Sequence, residues 1–330
     1  MNSPQIRIAI VRLSALGDIV NTAVVLQIIR KHYPDAIIDW IVEEAFAPIL
    51  THHPLLDSVI SVPLKKVKKT KSLPLLRSTI QELKSRPRYD HIIDAQGLLK
   101  SALITHFLKG NVHGFDRQSA REKIAAWFYD TTSAIPYEMN VIKRNVLVIT
   151  EALGIRYDEN EIVTKKPLFP LNDKPQSLKG EKNIACVIGA SWPSKCYPKE
   201  HFLTLCELLP YPCHLIWGSE AERVDAQWIA ERSHNAHIAP KMSLSELVSF
   251  IGHCDLTIGN DTGPTHMAWA MNRASITLFG PTNERMIFPT AINIGIKSPS
   301  SVNILKINRD DFSIREINPS TILQKAKELL

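Results

Sequence analysis

The five cysteines (Cys186, Cys196, Cys206, Cys213 and Cys254) include no Cys-x-x-Cys pair, and the sequence has no His-Glu-x-x-His. Without metal-ligand spacing these thiols read as reduced, small core residues, and a zinc site is not indicated. No apolar run approaches the roughly 20 residues of a membrane span. Residues 1–7 lead directly into a strand pattern that Arg12 and Asp18 interrupt, which is not the layout of a secretory signal. The expectation is a protein kept in the cytoplasm. No Gly-x-Gly-x-x-Gly follows the first strand, which argues against a nicotinamide-dependent oxidoreductase. Acidic residues are missing from one long stretch, between Asp57 and Glu82, where Lys65, Lys66, Lys68, Lys69 and Lys71 crowd together. Such a run is either a solvated, mobile loop or a patch for an anionic partner. No nucleic-acid motif accompanies it and no aromatics are interleaved, so a membrane surface or anionic glycolipid fits better than nucleic acid.

What is present is ordinary for two soluble domains: 330 residues, 45% hydrophobic and 22% charged, with a net charge of +6. Strand and helix patterns alternate. Strands are predicted at 6–11, 36–42, 58–62, 91–94 and 112–115. Helices are predicted at 18–33, 44–52, 73–84 and 98–108, and again over most of 120–153. Residues 165–180 carry Pro167, Pro170 and Pro175 with few periodic apolar positions, and read as a linker. Alternation resumes with strands at 184–188, 214–217, 256–258 and 275–279. The helices of this half are predicted at 199–209, 221–233, 244–252, 265–271 and 321–330. Strands separated by helices imply parallel sheets covered on both faces, in two doubly wound lobes. Ligands of such sheets sit beyond the carboxyl ends of the strands.

Four strand-end turns carry candidate chemistry. Gly259-Asn260-Asp261-Thr262-Gly263-Pro264-Thr265-His266 joins a strand to a helix start, a natural seat for phosphate because the first-turn N–H groups and the positive dipole end point outward. Its counterpart near the N-terminus, Arg12 to Asp18, offers Gly17 and then a carboxylate at a helix start. Asp18 is either an N-cap or a general base, and both roles are compatible only if one oxygen stays free. In Gly189 to Pro198, Lys195 precedes a helix, where it can meet a diphosphate or lie on the surface. Glu220 and Glu222 follow Trp217-Gly218-Ser219. They can accept from ribose hydroxyls, or simply suit a first helical turn. Met242 is either core filler or a base contact.

Together the blocks Arg12–Val20, Asp94–Ser101, Gly114–Asp116, Ser119–Glu122, Lys241–Leu244, Asn260–His266 and Phe279–Thr282 resemble glycosyltransferase family 9, the ADP-heptose:lipopolysaccharide heptosyltransferases. The likeness spans nearly the whole chain in family order, and is strongest to members that add the first heptose to Kdo–lipid A. It implies the GT-B fold: an α/β protein of two Rossmann-like, doubly wound lobes facing a central cleft. By that likeness residues 1–165 bind the acceptor, 166–180 link, and 181–330 bind ADP-heptose, with the final helix free to pack back on the first lobe. Asp18 matches the base of an inverting transfer and Lys195 the diphosphate lysine. Ser14, Gly17, Ser191, Glu222, Met242, Asp261, Thr262, Gly263 and His266 match donor contacts. Lys65, Lys66, Lys68, Lys69, Arg117 and Arg121 are expected to receive the phosphorylated, carboxylate-rich acceptor. Two departures from the family pattern are Ala15, where some relatives carry a second serine, and Pro193-Ser194 before the lysine. No obligatory metal is expected, since no Asp-x-Asp pair stands in a metal-binding context. The implied partners are ADP-heptose, Kdo–lipid A and the anionic cytoplasmic face of the inner membrane. Two other readings differ: transfer to an already heptosylated core, and a non-catalytic protein that binds anionic membranes.

Overall fold

A computed structural model describes residues 5–178 and 180–330. The chain divides into two compact units, Met1–Leu168 and Phe169–Leu330.

In the first unit the strands are β1 (Arg7–Val11), β2 (Ile37–Glu43), β3 (Ser58–Val62), β4 (Tyr89–Asp94), β5 (Gly110–Phe115) and β6 (Thr131–Ser133). Its helices are α1 (Leu16–Thr22), α2 (Val24–His32), α3 (Ala47–Leu50), α4 (Leu64–Thr70), α5 (Leu73–Ser85), α6 (Leu99–His106), α7 (Val141–Ala152) and α8 (Asn160–Val163). The strands pair in parallel in the order β3-β2-β1-β4-β5-β6. The second unit has β7 (Ile184–Val187), β8 (Cys213–Ile216), β9 (Ala236–Ile238), β10 (Leu256–Asn260), β11 (Ala274–Phe279) and β12 (Asn293–Lys297). Its helices are α9 (Lys199–Leu208), α10 (Glu220–Ala230), α11 (Leu244–Gly252), α12 (Gly263–Ala270) and α13 (Pro319–Leu329). This sheet is also parallel throughout, ordered β12-β11-β10-β7-β8-β9. Counted from each unit's own first strand, both sheets have the 3-2-1-4-5-6 order of the Rossmann fold. The α/β, doubly wound class read from the sequence is therefore the observed one.

Central strands are buried on both faces, which is why they read as unbroken β-branched runs. Ile8, Ala9, Ile10 and Val11 are each 0% exposed. In the second unit Ile184, Cys186, Leu215, Ile258, Ile276 and Leu278 form the core with Phe202 and Leu205 of α9. Four cysteines lie in buried positions and Cys196 is half-buried. Ile322 and Ala326 of α13 insert into this same core, so the last helix packs on α9 and β11.

Several elements differ from expectation. The helix predicted over 18–33 is two helices, α1 and α2, which meet at Ala23. The helical part of 120–153 is divided: a six-residue 3-10 segment, Lys123–Phe128, is followed by strand β6 and then α7. The lysine run is no loop but a helix, α4, whose second residue donates its N–H to the buried Glu43 carboxylate at 3.0 Å. The division between the units, Leu168/Phe169, falls in the proline-bearing stretch read as a linker, where Leu168 O meets His53 Nε2 at 2.6 Å and Asn172 N donates to Ser249 Oγ at 2.9 Å.

Candidate functional site

In each unit the strand order reverses between the first and fourth strands, β1/β4 and β7/β10. Crevices form at such switch points. All four of the turns that follow those strands carry residues singled out above.

In the first unit the β1 turn places Asp18 at the third position of α1. Its Oδ2 accepts from Ala15 N at 3.1 Å, and its Oδ1 pairs with Arg12 Nη2 at 3.0 Å. Both oxygens are engaged, contrary to the simplest requirement for a base. An ionised carboxylate has about four lone-pair sites, however, so each oxygen keeps one direction for a substrate proton. The side chain is 24% exposed, against 8% for Arg12. Arg12 is held in turn by a hydrogen bond from Nη1 to Ala95 O. The likeness to known sequences gave Arg12 no role. The signal was a cation at the end of an otherwise apolar strand.

The β4 turn lies beside it. Buried Asp94 accepts from Gln96 N at 2.8 Å, Gly97 N at 3.2 Å and Tyr129 Oη at 2.7 Å. Burial pushes the Asp94 carboxyl up while those donors oppose it. Gly97 sits at φ +67°, and a Cβ there would come within 3.1 Å of Phe115 and 3.6 Å of Arg121 N. Gln96 receives Leu13 N at 2.8 Å, and Ser14 Oγ accepts from Lys100 Nζ at 2.6 Å. Partial burial pushes the Lys100 ammonium below the ordinary lysine range; Glu43 opposes this, and Lys65 and Arg12 reinforce it. Lys100 is thus a further residue of this centre that sequence reasoning did not assign. Of the expected acceptor residues, Lys65 reaches the neighbourhood of Lys100, with its Nζ 4.8 Å from the Phe46 ring. The backbone of Arg121 packs against Gly97. Lys66, Lys68 and Lys69 are exposed on α4, and Arg117 is exposed in the turn after β5.

The second unit arranges its charges differently. Asp261 is buried between Lys195 Nζ at 2.8 Å from Oδ2 and His266 Nε2 at 3.0 Å from Oδ1. Burial alone would push its carboxyl up, but Lys195 and His266 together hold it well below the usual range. A buried ion pair roughly breaks even against its desolvation cost. Its value here is therefore positional: it fixes the Lys195 ammonium at the start of α12. There the N–H groups of Gly263 and Thr265 have no intrahelical acceptor, Pro264 has none to offer, and Thr262 is the N-cap. Asn260 clamps the two turns together. Its Nδ2 donates to Ile188 O at 2.9 Å and Gly189 O at 3.2 Å, and its Oδ1 accepts from Tyr197 N at 2.9 Å. Trp192 stacks under Lys195 at 5.1 Å and under Arg309 at 5.0 Å. Ser194 Oγ and Trp192 Nε1 are buried without a hydrogen-bond partner among the described residues, whereas Ser191 is exposed.

Glu222 and Glu220 separate cleanly. Glu220 turns outward to Arg223 at 2.6 Å and is 71% exposed. Glu222 Oε2 accepts from Gly218 N at 2.6 Å and Ser219 N at 3.1 Å, capping α10. Its carboxylate lies where a Cβ on Gly189 would be, at 2.3 Å, so a side chain at 189 would push the Glu222 carboxylate out of this position. Met242 is half-buried just before α11, beside Lys241, whose Nζ hydrogen-bonds Gly218 O.

Two Rossmann-like sheets, one with a reachable carboxylate at its switch point and the other with a buried cation at a helix start, are the parts of a nucleotide-sugar glycosyltransferase. Residues 76–304 match glycosyltransferase family 9 (heptosyltransferase), and the chain belongs to that family. It is 39% identical to lipopolysaccharide heptosyltransferase 1 of Campylobacter coli, over 98% of both chains. It is 30% identical to the Escherichia coli K12 protein of the same name, over 92% of this chain and 96% of that one. Identity falls to 27% for a lipooligosaccharide heptosyltransferase 2 of Haemophilus influenzae. Among solved structures, E. coli heptosyltransferase WaaC with ADP-2-deoxy-2-fluoro heptose superposes with a TM-score of 0.82 at 26% identity, covering 98% of this chain and 100% of that one.

Proposed function

We propose that this chain transfers L-glycero-D-manno-heptose from ADP-heptose to a Kdo hydroxyl of Kdo–lipid A, with inversion at the anomeric carbon. The second unit holds the donor and the first holds the acceptor. The observation that carries this reading is the contrast between the two switch-point acids. Asp261 is sealed between the Lys195 ammonium and the His266 ring, while Asp18 is reachable.

The chemistry follows from that contrast. An Asp18 oxygen takes the proton of the acceptor hydroxyl as its oxygen attacks the anomeric carbon. The bond from that carbon to the diphosphate oxygen breaks, and ADP leaves with the electron pair. Negative charge grows on the diphosphate, and Lys195 with the Gly263 and Thr265 N–H groups stabilises it. Lys195 and His266 hold the two Asp261 oxygens in place, and the family likeness assigns Asp261 to the heptose. Glu222 accepts from the ribose, Met242 lines the adenine, and Ser14, Gly17 and Ser191 complete the donor contacts. Lys65, Lys66, Lys68, Lys69, Arg117 and Arg121 meet the acceptor's phosphates and carboxylates at an anionic membrane surface. The higher identity to type 1 than to type 2 enzymes favours Kdo as the acceptor sugar over a first heptose.

The test is transfer from ADP-heptose to Kdo–lipid A and, separately, to its heptosylated product, read by mass spectrometry. A mass gain of one heptose on Kdo–lipid A alone is expected. A gain only on the heptosylated acceptor assigns the chain to the later step, and no gain on either refutes the reading.

A further inference from the structure

The first unit carries an apolar ridge that its core does not use. Trp127 is 71% exposed, Ile124 43% and Leu103 40%. Ile124 and Trp127 lie in the 3-10 segment Lys123–Phe128. Side chains three apart in such a helix eclipse one another, so these two share a face. The segment packs along α6 and is fastened at both ends. At one end Glu122 Oε2 accepts from Leu99 N at 2.7 Å, and at the other the Phe128 ring meets His106 edge-on at 6.3 Å. Six residues of 3-10 helix and eight of α-helix are each about 12 Å long, so the two run alongside for their full lengths. Leu103, in the middle of α6, is a further exposed apolar side chain on the helix this segment packs along. Exposed cations border it: Arg121 and Lys123. The one acid among them, Glu122, is already spent on capping α6.

We propose that this ridge is a membrane-docking edge that seats Trp127, Ile124 and Leu103 in the interface of an anionic bilayer. A tryptophan with aliphatic neighbours and a rim of lysine and arginine is the chemistry of the lipid headgroup boundary. Cations near an anionic leaflet add attraction to it. A stable protein partner would instead cover about 800 Å² on each side, and three side chains ringed by charge do not supply that. The location fits as well. Lys100, in the first turn of α6, donates to Ser14 Oγ beside Asp18. Leu103 follows about 5 Å further along the axis. The helix that reaches the Asp18 turn through Lys100 is thus the one along which the apolar segment packs. The inference rests on the glycolipid acceptor proposed above.

The experiment is flotation of the full chain with vesicles of phosphatidylglycerol and phosphatidylethanolamine, alongside turnover on vesicle-embedded and on deacylated, water-soluble acceptor. The double variant Ile124→Ser, Trp127→Ser should bind vesicles at least about tenfold more weakly and lose turnover only on the embedded acceptor. Its Tm should be unchanged, and Trp127→Phe should restore most of the binding. Flotation of the double variant at the level of the natural chain overturns the proposal, as does a natural chain that does not float. So does a variant that floats normally but loses an oligomer in size exclusion, since the ridge is then a protein contact. A chain that floats in a Trp127-dependent way yet transfers to neither acceptor supports the docking edge while refuting the heptosyl-transfer reading.

Discussion

The same strand order, used twice in one chain, ends in two opposite treatments of an aspartate. Asp261 has the Lys195 ammonium on one oxygen and the His266 ring on the other, 3% side-chain exposure and a carboxyl held far below its ordinary range. Asp18 has one cation, one backbone donor and 24% exposure. A carboxylate that bridges two buried partners organises its surroundings and cannot easily exchange a proton. A carboxylate at the edge of solvent, oriented but not enclosed, can. Topology thus decides where the acids stand, and local partners decide what they do.

The largest effect that tests this contrast is on turnover. Asp18→Ala should lower kcat by about 10²–10⁴-fold, the usual contribution of general base catalysis, with the thermal midpoint within a few degrees of the natural chain. Near-normal turnover in steady-state assays would remove Asp18 as the base. Lys195→Met should act on stability as well as binding. It leaves the Asp261 carboxylate buried without its ammonium partner, at a cost of about 3–5 kcal/mol in urea denaturation, and calorimetry should show ADP binding weakened in parallel. An unchanged midpoint would mean that the pair is wetter than the structure shows.

The pH dependence sharpens the comparison further. Because the folded Asp261 carboxyl is held below the unfolded value of about 3.9, its contribution is fully present above about pH 4 and fades as the pH falls through the folded value. Asp261→Asn lacks that contribution, so the stability gap between it and the natural chain should narrow on acidification below about pH 4. A gap that stays constant, measured by urea titration across that range, would contradict the pairing. The smallest effect belongs to the exposed lysines. Reversing Lys65, Lys66, Lys68 and Lys69 to Glu should raise the acceptor KM several-fold and leave the donor KM unchanged, since charges on a solvated helix are each worth at most about 1 kcal/mol. Equal changes in both constants would assign α4 to the donor or to folding.

What was legible in the sequence follows the same physics. Central strands such as Ile8–Val11 and Ile276–Phe279 are buried on both faces and announce themselves as apolar runs. The strands that escaped notice, Thr131–Ser133, Ala236–Ile238 and Asn293–Lys297, are all sheet edges. Edges are short and polar because an exposed ladder invites aggregation, so the hydrophobic pattern is weakest there. The lysine helix α4 was unreadable because its anchor, Glu43, comes from another strand end. Among site residues, those in turns with glycine and unusual charge stood out: Gly17, Asp18, Asp261 and His266. Arg12, Lys100 and Asn260 did not, because their roles lie in what they hold across 6 to 86 residues of chain. The difference between Glu220 and Glu222 also needed coordinates, since it lies in their partners: Arg223 for Glu220, and the Gly218 and Ser219 N–H groups for Glu222.

The central claim is that one switch-point acid reacts and the other holds the donor. Titrating ADP-heptose by calorimetry into Asp18→Ala and Asp261→Ala, side by side, tests it most directly. The account predicts donor affinity close to natural in Asp18→Ala and at least about tenfold weaker in Asp261→Ala, the loss of one well-placed charged interaction. Equal loss in both variants, or loss in Asp18→Ala alone, would contradict it.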